Sequence, residues 1–188
     1  VIKRYLPHIT LELIEGLTDR LEDRLTDGAL DVAILATSPT RTNLTEIVLY
    51  DEPFWIAMPN DHPLTDQDVV DVTQIEPGEL LLLSDGHCLR DQIYDACKLD
   101  RTLTRRNGGP RTQQTSLATI LALVGAGEGI TLVPAMSLAS GWVTDPGIAV
   151  RSEESGTAGR TVRLTLRKAY PRMALVEKLA DIIAACLP

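Results

Sequence analysis

The chain has 188 residues, of which 44% are hydrophobic, and its 26 acidic and 18 basic side chains give a formal net charge of −8 at neutral pH. This composition is typical of a soluble globular protein, and no apolar run approaches the ~20 residues of a membrane-spanning helix, which excludes a membrane span. The acidic balance opposes binding to nucleic acid, so any contact with DNA is expected to come from another segment.

The cysteine count and the first residues of the chain indicate a cytoplasmic protein. Three cysteines, an odd number, fit a reducing compartment better than a secreted disulfide framework. The residues after Val1 lack the small-residue cleavage site of a signal peptide. A chain of this length can also bury a core without disulfides.

Strand-like and helix-like segments alternate along the chain. In chain order, we predict a helix tail at 1–6, a strand at 9–13, a helix at 19–25, strands at 30–36, 47–50, 54–58 and 80–83, a helix that begins near 87, a helix at 115–125, a strand at 130–133, a helix from 134, strands at 148–150 and 161–166, and a helix at 173–186. This alternation predicts an α/β fold.

The same pattern predicts two lobes joined by two crossover strands. Pro53 is expected to interrupt the first crossover, because a proline cannot donate to the ladder of a central strand. The first lobe comprises residues 1–50 and 148–188, and the second comprises residues 51–147. Because an α/β lobe normally opens with a strand, we expect the first lobe to lack its N-terminal part.

A helix with a cysteine at each end is predicted to begin close to His87, because Ser-Asp-Gly directly before it offers N-cap residues. Leu89, Ile93 and Cys97 follow at spacings of four and form its apolar face, so Cys97 is expected in the core. Cys88 falls in the first turn, where free N–H groups and the positive end of the helix dipole stabilise a thiolate. The sequence therefore favours Cys88 as the more reactive of the two.

The two cysteines cannot be both helical and bonded to each other. Nine residues at 100° each place them on opposite faces, and the rise of 1.5 Å per residue separates their Cα atoms by ~13.5 Å. A disulfide requires roughly 4.4 to 6.8 Å between Cα atoms. Oxidation therefore requires Cys88–Cys97 to unwind; the alternative is that both are inert, small hydrophobic residues.

Other kinds of site are weakly supported. Eight residues separate Cys88 from Cys97, where structural zinc sites use two to four, and His8 and His62 have no partner at ligand spacing. The glycine-rich run GAGEG at 125–129 follows a predicted helix and lacks the Lys-Ser/Thr ending of a phosphate loop, so it is interpreted as a helix C-terminal turn. We predict neither a metal nor a cofactor, and Cys186 is assigned to packing on the last helix.

The sequence DGHCLRDQ at 85–92, with a second cysteine nine residues after the first, resembles the redox motif of the peroxide-sensing LysR-type transcriptional regulators. The resemblance extends to YDEPFWIAMPNDHPL at 50–64, TSLATILALVGAGEGITLVPAMSL at 115–138 and GRTVRLTLRKAYPR at 159–172. It covers nearly the whole chain, in the order that the family requires.

The resemblance implies a two-lobed regulatory domain of the periplasmic-binding-protein type that controls oxidative-stress genes and is not an enzyme. It also implies DNA binding through an N-terminal winged helix-turn-helix outside this chain, self-association as a dimer or tetramer, and resetting by a cellular thiol reductant system.

The resemblance also implies roles for individual residues. Cys88 is the peroxidatic cysteine and Cys97 the resolving one, so that a reversible disulfide between them records hydrogen peroxide. Thr18, His87 and Arg160 match residues that bind peroxide or lie near the reactive sulfur. On the residues alone, Thr18 is equally an N-cap for the helix that follows it, and the alternative for Arg160 is a surface ion pair.

Two other functions remain open on the sequence. The lobes could bind a small organic effector while the cysteines stay inert. The chain could also be a thiol peroxidase that consumes peroxide continuously, although no reductase-like CxxC accompanies the pair.

Overall fold

The computed structural model describes residues 2–102, 111–114, 116–139 and 147–186. Five α-helices and eight strands are named here in chain order. They are α1 (Ile2–Tyr5), α2 (Thr18–Thr26), β1 (Val32–Leu35), β2 (Leu44–Pro59), β3 (Val69–Val70), β4 (Leu81–Leu83), α3 (Cys88–Ala96), β5 (Arg111–Gln114), α4 (Leu117–Gly125), β6 (Thr131–Pro134), β7 (Ile148–Glu153), β8 (Gly159–Arg167) and α5 (Met173–Ala184). The mixture of helices and strands confirms the predicted α/β class.

Contacts divide the chain into two compact units, and the strands β2 and β8 each run from one unit into the other. The first unit comprises 1–51 and 161–188, and the second comprises 52–160. The sequence assigned 148–160 to the first lobe, whereas the contacts assign it to the second. The reason is β7, which pairs with the part of β2 that follows the boundary and with β3.

In the first unit, β1 pairs antiparallel with β8. One apolar cluster joins α2 to β1 through buried Leu25, Ala33 and Leu35. A second cluster packs α5 against β8 and includes Leu164 and Val176. Cys186 follows α5 and is exposed, so the predicted packing of its side chain on the last helix is wrong.

The strand predicted at 9–13 is not present. Residues 9–17 form neither helix nor strand, and Leu13 is 87% exposed. A strand needs a neighbour that satisfies its backbone N–H and C=O groups, and none of the described strands pairs with this segment. Apolar and polar side chains alternate in residues 9–13, as they do in a strand, but this pattern does not provide a neighbouring strand with which to pair.

The two strands predicted on either side of Pro53 form one strand, β2, of 16 residues. Pro53 is exposed, and the registers of β2 with β6 and β7 begin at Phe54 and Trp55. The missing proline N–H is therefore not required by these two ladders. Gly159 makes the close approach of β8 feasible here, because a Cβ atom at this position would lie 2.7 Å from the Glu52 carbonyl oxygen.

The second unit contains the largest apolar cluster of the described residues. Within it, β2 is flanked by antiparallel β6 and β7, and β4 pairs parallel with β5. The cluster includes buried residues of β2, β4, β6, α3 and α4. The run at 125–129 forms the C-terminal turn of α4, as predicted, with backbone hydrogen bonds joining Ile130 to Glu79 and Leu81. No described helix is long and apolar enough to cross a membrane.

Candidate functional site around helix α3

Helix α3 carries the two cysteines at its ends. His87 is its N-cap residue, with extended backbone, and Cys88 is the first helical residue. The side chain of Cys88 is partly buried, and its thiol is free. The predicted helix start near His87 is therefore confirmed, and Cys88 lies in the first turn, where backbone N–H groups have no partner within the helix.

Cys97 is the C-cap residue of the same helix and belongs to the core. Its side chain is 7% exposed, compared with 6% for Leu89 and 1% for Ile93, and all three belong to one apolar cluster. Its N–H donates to the Ile93 carbonyl oxygen at 2.9 Å. Because helical geometry separates Cys88 and Cys97 by about 13.5 Å along the axis, both thiols are free while the helix is intact.

Burial makes the two thiols chemically unequal. It raises the pKa of Cys97 to about 12, and the nearby negative charge of Glu153 adds to this effect. Glu153 is itself buried, which raises the pKa of its carboxyl group, but its hydrogen bonds outweigh burial and hold that pKa below its ordinary value. The donors are the N–H and Oγ of Ser155 and the N–H of Ala158. Cys97 is therefore a protonated, unreactive thiol at neutral pH.

The raised pKa of Cys97 predicts a loss of stability in alkali. The folded chain holds this proton up to about pH 12, whereas an unfolded chain releases it near 9.0, so the stabilisation is complete below pH 9 and is lost between these values. Urea unfolding of the reduced chain measures this effect at about pH 8 and about pH 10. Between these two pH values, the free energy of unfolding should fall by about 1 kcal/mol more in the unmodified chain than in the Cys97→Ala variant. Equal losses in the two chains would contradict the burial of an un-ionised Cys97 thiol.

The other predicted site residue of the second unit, Arg160, has a buried partner. Its Nε donates to Glu52 Oε2 at 2.8 Å, and the Glu52 side chain is 2% exposed. Glu52 Oε1 also accepts the N–H of Met136 at 2.9 Å. Arg160 is thus not a residue of a surface ion pair, which was the alternative interpretation. Glu52 was not predicted from the sequence, in which it stands between Asp51 and Pro53 at the start of the second unit.

Thr18 belongs to the first unit and is the first residue of α2. Leu17 is the N-cap residue, and no side chain caps this helix. The capping role that was the alternative for Thr18 is therefore absent. His87 and Cys88 are neighbours at the start of α3, and Arg160 belongs to the same unit.

The described residues offer no group of three or more His, Cys, Asp or Glu side chains that could hold a metal ion.

Comparison with known proteins identifies the family. The family model for the LysR substrate binding domain matches residues 2–187. The chain is 35% identical over 184 residues to the probable hydrogen peroxide-inducible genes activator of Mycobacterium leprae, covering 95% of this chain and 56% of that protein. It spans less than two thirds of the length of the curated relatives that it matches.

Solved structures give the same result. The reduced OxyR regulatory domain of Pseudomonas aeruginosa is 34% identical with a TM-score of 0.87, over 98% of this chain and 85% of that chain. A peroxide-bound Cys-to-Ser variant of Corynebacterium glutamicum OxyR is also 34% identical with a TM-score of 0.87, over 98% of this chain and 57% of that chain. These matches confirm the LysR-type fold, and the chain belongs to the LysR substrate-binding domain family.

Proposed function

We propose that the chain is the redox-sensing regulatory domain of a hydrogen-peroxide-responsive LysR-type transcriptional regulator. The observation that carries the proposal is the pair of free thiols at opposite ends of α3, one partly buried in the first turn and one buried at the C-cap. The curated relatives that are named as peroxide-inducible activators support it.

The proposed first step is oxidation of Cys88. Its thiolate attacks one oxygen of hydrogen peroxide, an S–O bond forms, the O–O bond breaks, and hydroxide leaves. Sulfur is oxidised to sulfenic acid, and peroxide is reduced. We propose that His87 donates a hydrogen bond to the departing oxygen and that the positive charge of Arg160 favours the thiolate, and Thr18 stays a predicted peroxide-binding residue.

The proposed second step forms the disulfide. The Cys97 sulfur attacks the sulfenic sulfur, an S–S bond forms, the S–O bond breaks, and water leaves with the thiol proton. The Cα atoms of Cys88 and Cys97 lie about 13.5 Å apart in the helix and must come within about 7 Å to form the bond, so α3 has to unwind first. Burial of Cys97 therefore couples the chemistry to a change of conformation.

Further parts of the proposal concern the whole regulator. A DNA-binding domain outside this chain contacts DNA, since this chain is acidic. The regulator self-associates in the cytoplasm, and the unwound segment alters how its subunits position that domain. A thiol reductant system returns the disulfide to two thiols, so the domain acts as a switch and not as an enzyme.

The test is to treat the purified, reduced chain with less than one equivalent of hydrogen peroxide and to map disulfides by peptide mass. We expect a Cys88–Cys97 bond. In a second sample with excess peroxide and no reductant, consumption should stop at about one equivalent per chain. A folded chain that forms no such bond would contradict the proposal and favour a domain with inert cysteines that binds an organic effector. Rapid peroxide turnover with an added dithiol, at the rates typical of enzymes, would indicate a thiol peroxidase, because a switch that is reset slowly consumes peroxide only as fast as its disulfide is reduced.

A further inference from the structure

Arg101, four residues after Cys97, reaches back to the helix that Cys97 ends. Its Nη1 lies 2.7 Å from Asp91 Oδ1, and its Nη2 lies 2.7 Å from Asp95 Oδ1. The same Nη2 donates to the Asp91 carbonyl oxygen at 3.3 Å. One guanidinium therefore binds two carboxylates of α3, an arrangement named here the Arg101 bridge.

The Arg101 bridge extends to the aromatic ring between its two carboxylates. The Cζ atom of Arg101 lies 5.8 Å from the centroid of the Tyr94 ring, and that of Arg90 lies 5.4 Å from it. Tyr94 is 4% exposed and belongs to the core cluster. Cation–π attraction therefore adds to the two ion pairs and connects them to a buried side chain.

The end of α3 closes in a conformation that suits glycine, but lysine occupies it. Lys98 has φ +51°, while the Leu99 N–H donates to the Tyr94 carbonyl oxygen at 2.9 Å and the Lys98 N–H donates to that of Asp95 at 3.2 Å. This is a Schellman-type helix end, whose left-handed position is usually glycine because a Cβ atom is unfavourable there. The turn that holds Cys97 is thus weakened by Lys98 and benefits from support by Arg101.

Unwinding of α3 must break the Arg101 bridge. Asp91 and Asp95 are four residues apart, about 6 Å along a helix but up to about 13 Å along an extended chain. A single guanidinium reaches both carboxylates only while the segment is helical. The bridge consequently stabilises the helical form of α3 and makes no comparable contribution to the unwound form.

We propose that Arg101 is a positioning residue that holds α3 helical through Asp91, Asp95 and Tyr94, and thereby controls how readily Cys97 leaves the core. This inference rests on the proposed function, in which that release precedes the disulfide. Arg101 contacts neither thiol in this arrangement, so it acts on the second step and not on the attack of Cys88 on peroxide.

The exposure of the charges predicts sensitivity to salt. The side chains of Arg101, Asp91 and Asp95 are 52%, 58% and 73% exposed. Ions screen pairs at such exposure, and each pair contributes modestly. Raised salt should therefore speed disulfide formation in the unmodified chain and have little effect once Arg101 is replaced.

The test compares Arg101→Gln with Arg41→Gln. Arg41 forms an ion pair of similar length and exposure, 2.8 Å from Asp23, in the first unit, so its variant controls for loss of a surface charge. At saturating peroxide, Arg101→Gln should form the Cys88–Cys97 bond about two- to tenfold faster, with unchanged consumption of the first peroxide equivalent. Its midpoint in a glutathione redox buffer should shift toward the disulfide by a similar factor. Arg41→Gln should change none of these.

Hydrogen exchange of the reduced chain tests the inference independently of peroxide. Amides of 93–99 should exchange faster in Arg101→Gln, and Asp95→Asn should add little to Arg101→Gln although it accelerates exchange by itself. Unchanged exchange, rate and midpoint in Arg101→Gln would overturn the role of Arg101. If the unmodified chain forms no disulfide, the proposed function fails, and the exchange data alone then decide whether the Arg101 bridge stabilises α3.

Discussion

Replacement of Arg160 by methionine is expected to lower the free energy of unfolding of the second unit by about 3 kcal/mol. The reason is Glu52, whose carboxylate is 2% exposed and would lose the guanidinium that lies 2.8 Å away. Because the Arg160 side chain is 20% exposed, water can enter part of the space that it leaves and offset part of the lost stability. Urea unfolding of the reduced chain, followed by circular dichroism, measures the difference.

Two control variants separate the buried charge from the loss of the arginine side chain. Arg160→Met combined with Glu52→Gln should recover part of the lost stability, because an amide is cheaper to bury than an unpaired carboxylate. Arg163→Met should cost less, since its partner Glu46 is 29% exposed and the bond is longer, at 3.2 Å. If Arg160→Met were as stable as the unmodified chain, the Glu52–Arg160 pair would have no structural role.

This expectation changes how Arg160 variants should be interpreted. Arg160 is proposed to favour the Cys88 thiolate, and it also neutralises Glu52. A slower reaction with peroxide in Arg160→Met would arise from either role. The two roles are separated by measuring the rate of reaction with peroxide on the folded fraction of Arg160→Met. The same rate is then measured in the double variant Arg160→Met with Glu52→Gln, in which Glu52 no longer carries a charge.

The parts of the site that could be predicted from the sequence are the local ones. The helix start near His87 was predicted from Ser-Asp-Gly directly before it, although His87 itself is the N-cap residue and no side chain caps the helix. The burial of Leu89, Ile93 and Cys97 follows from spacings of four. Because both signals are local in the chain, no knowledge of the remaining residues was required.

Contacts between distant residues could not be predicted in this way. Glu52 and Arg160 are 108 positions apart, and nothing in either local pattern names the other as its partner. The same dependence on distant residues explains why no strand forms at 9–13. The side chains there alternate as in a strand, but none of the described strands pairs with this segment. Pro53 is the opposite case. A proline normally ends a central strand, but β2 continues through it because the ladders with β6 and β7 begin after it and need no N–H there.

The strongest functional effect is expected from Cys88→Ser. A serine hydroxyl is a much weaker nucleophile than a thiolate, so peroxide consumption by the chain should fall by at least about 100-fold. Peroxide loss after a single addition, followed in a chain with intact helix content, measures this effect. The Cys186→Ala variant serves as the control, because Cys186 is an exposed free cysteine outside α3 and its loss should leave both steps unchanged.

Cys97→Ala should behave differently from Cys88→Ser. The first step needs only Cys88, so this variant should still consume about one equivalent of peroxide and then accumulate sulfenic acid at Cys88, which a dimedone label followed by peptide mass would reveal. In the unmodified chain, dimedone should label Cys88 less, because disulfide formation consumes the sulfenic acid with which dimedone reacts. The order of events follows from burial: a thiol with a pKa of about 12, 7% exposed in the core, cannot be the first to react. Labelling of Cys97 before Cys88, or normal disulfide formation without helix unwinding, would contradict a switch in which the partly buried Cys88 reacts first and the buried Cys97 follows.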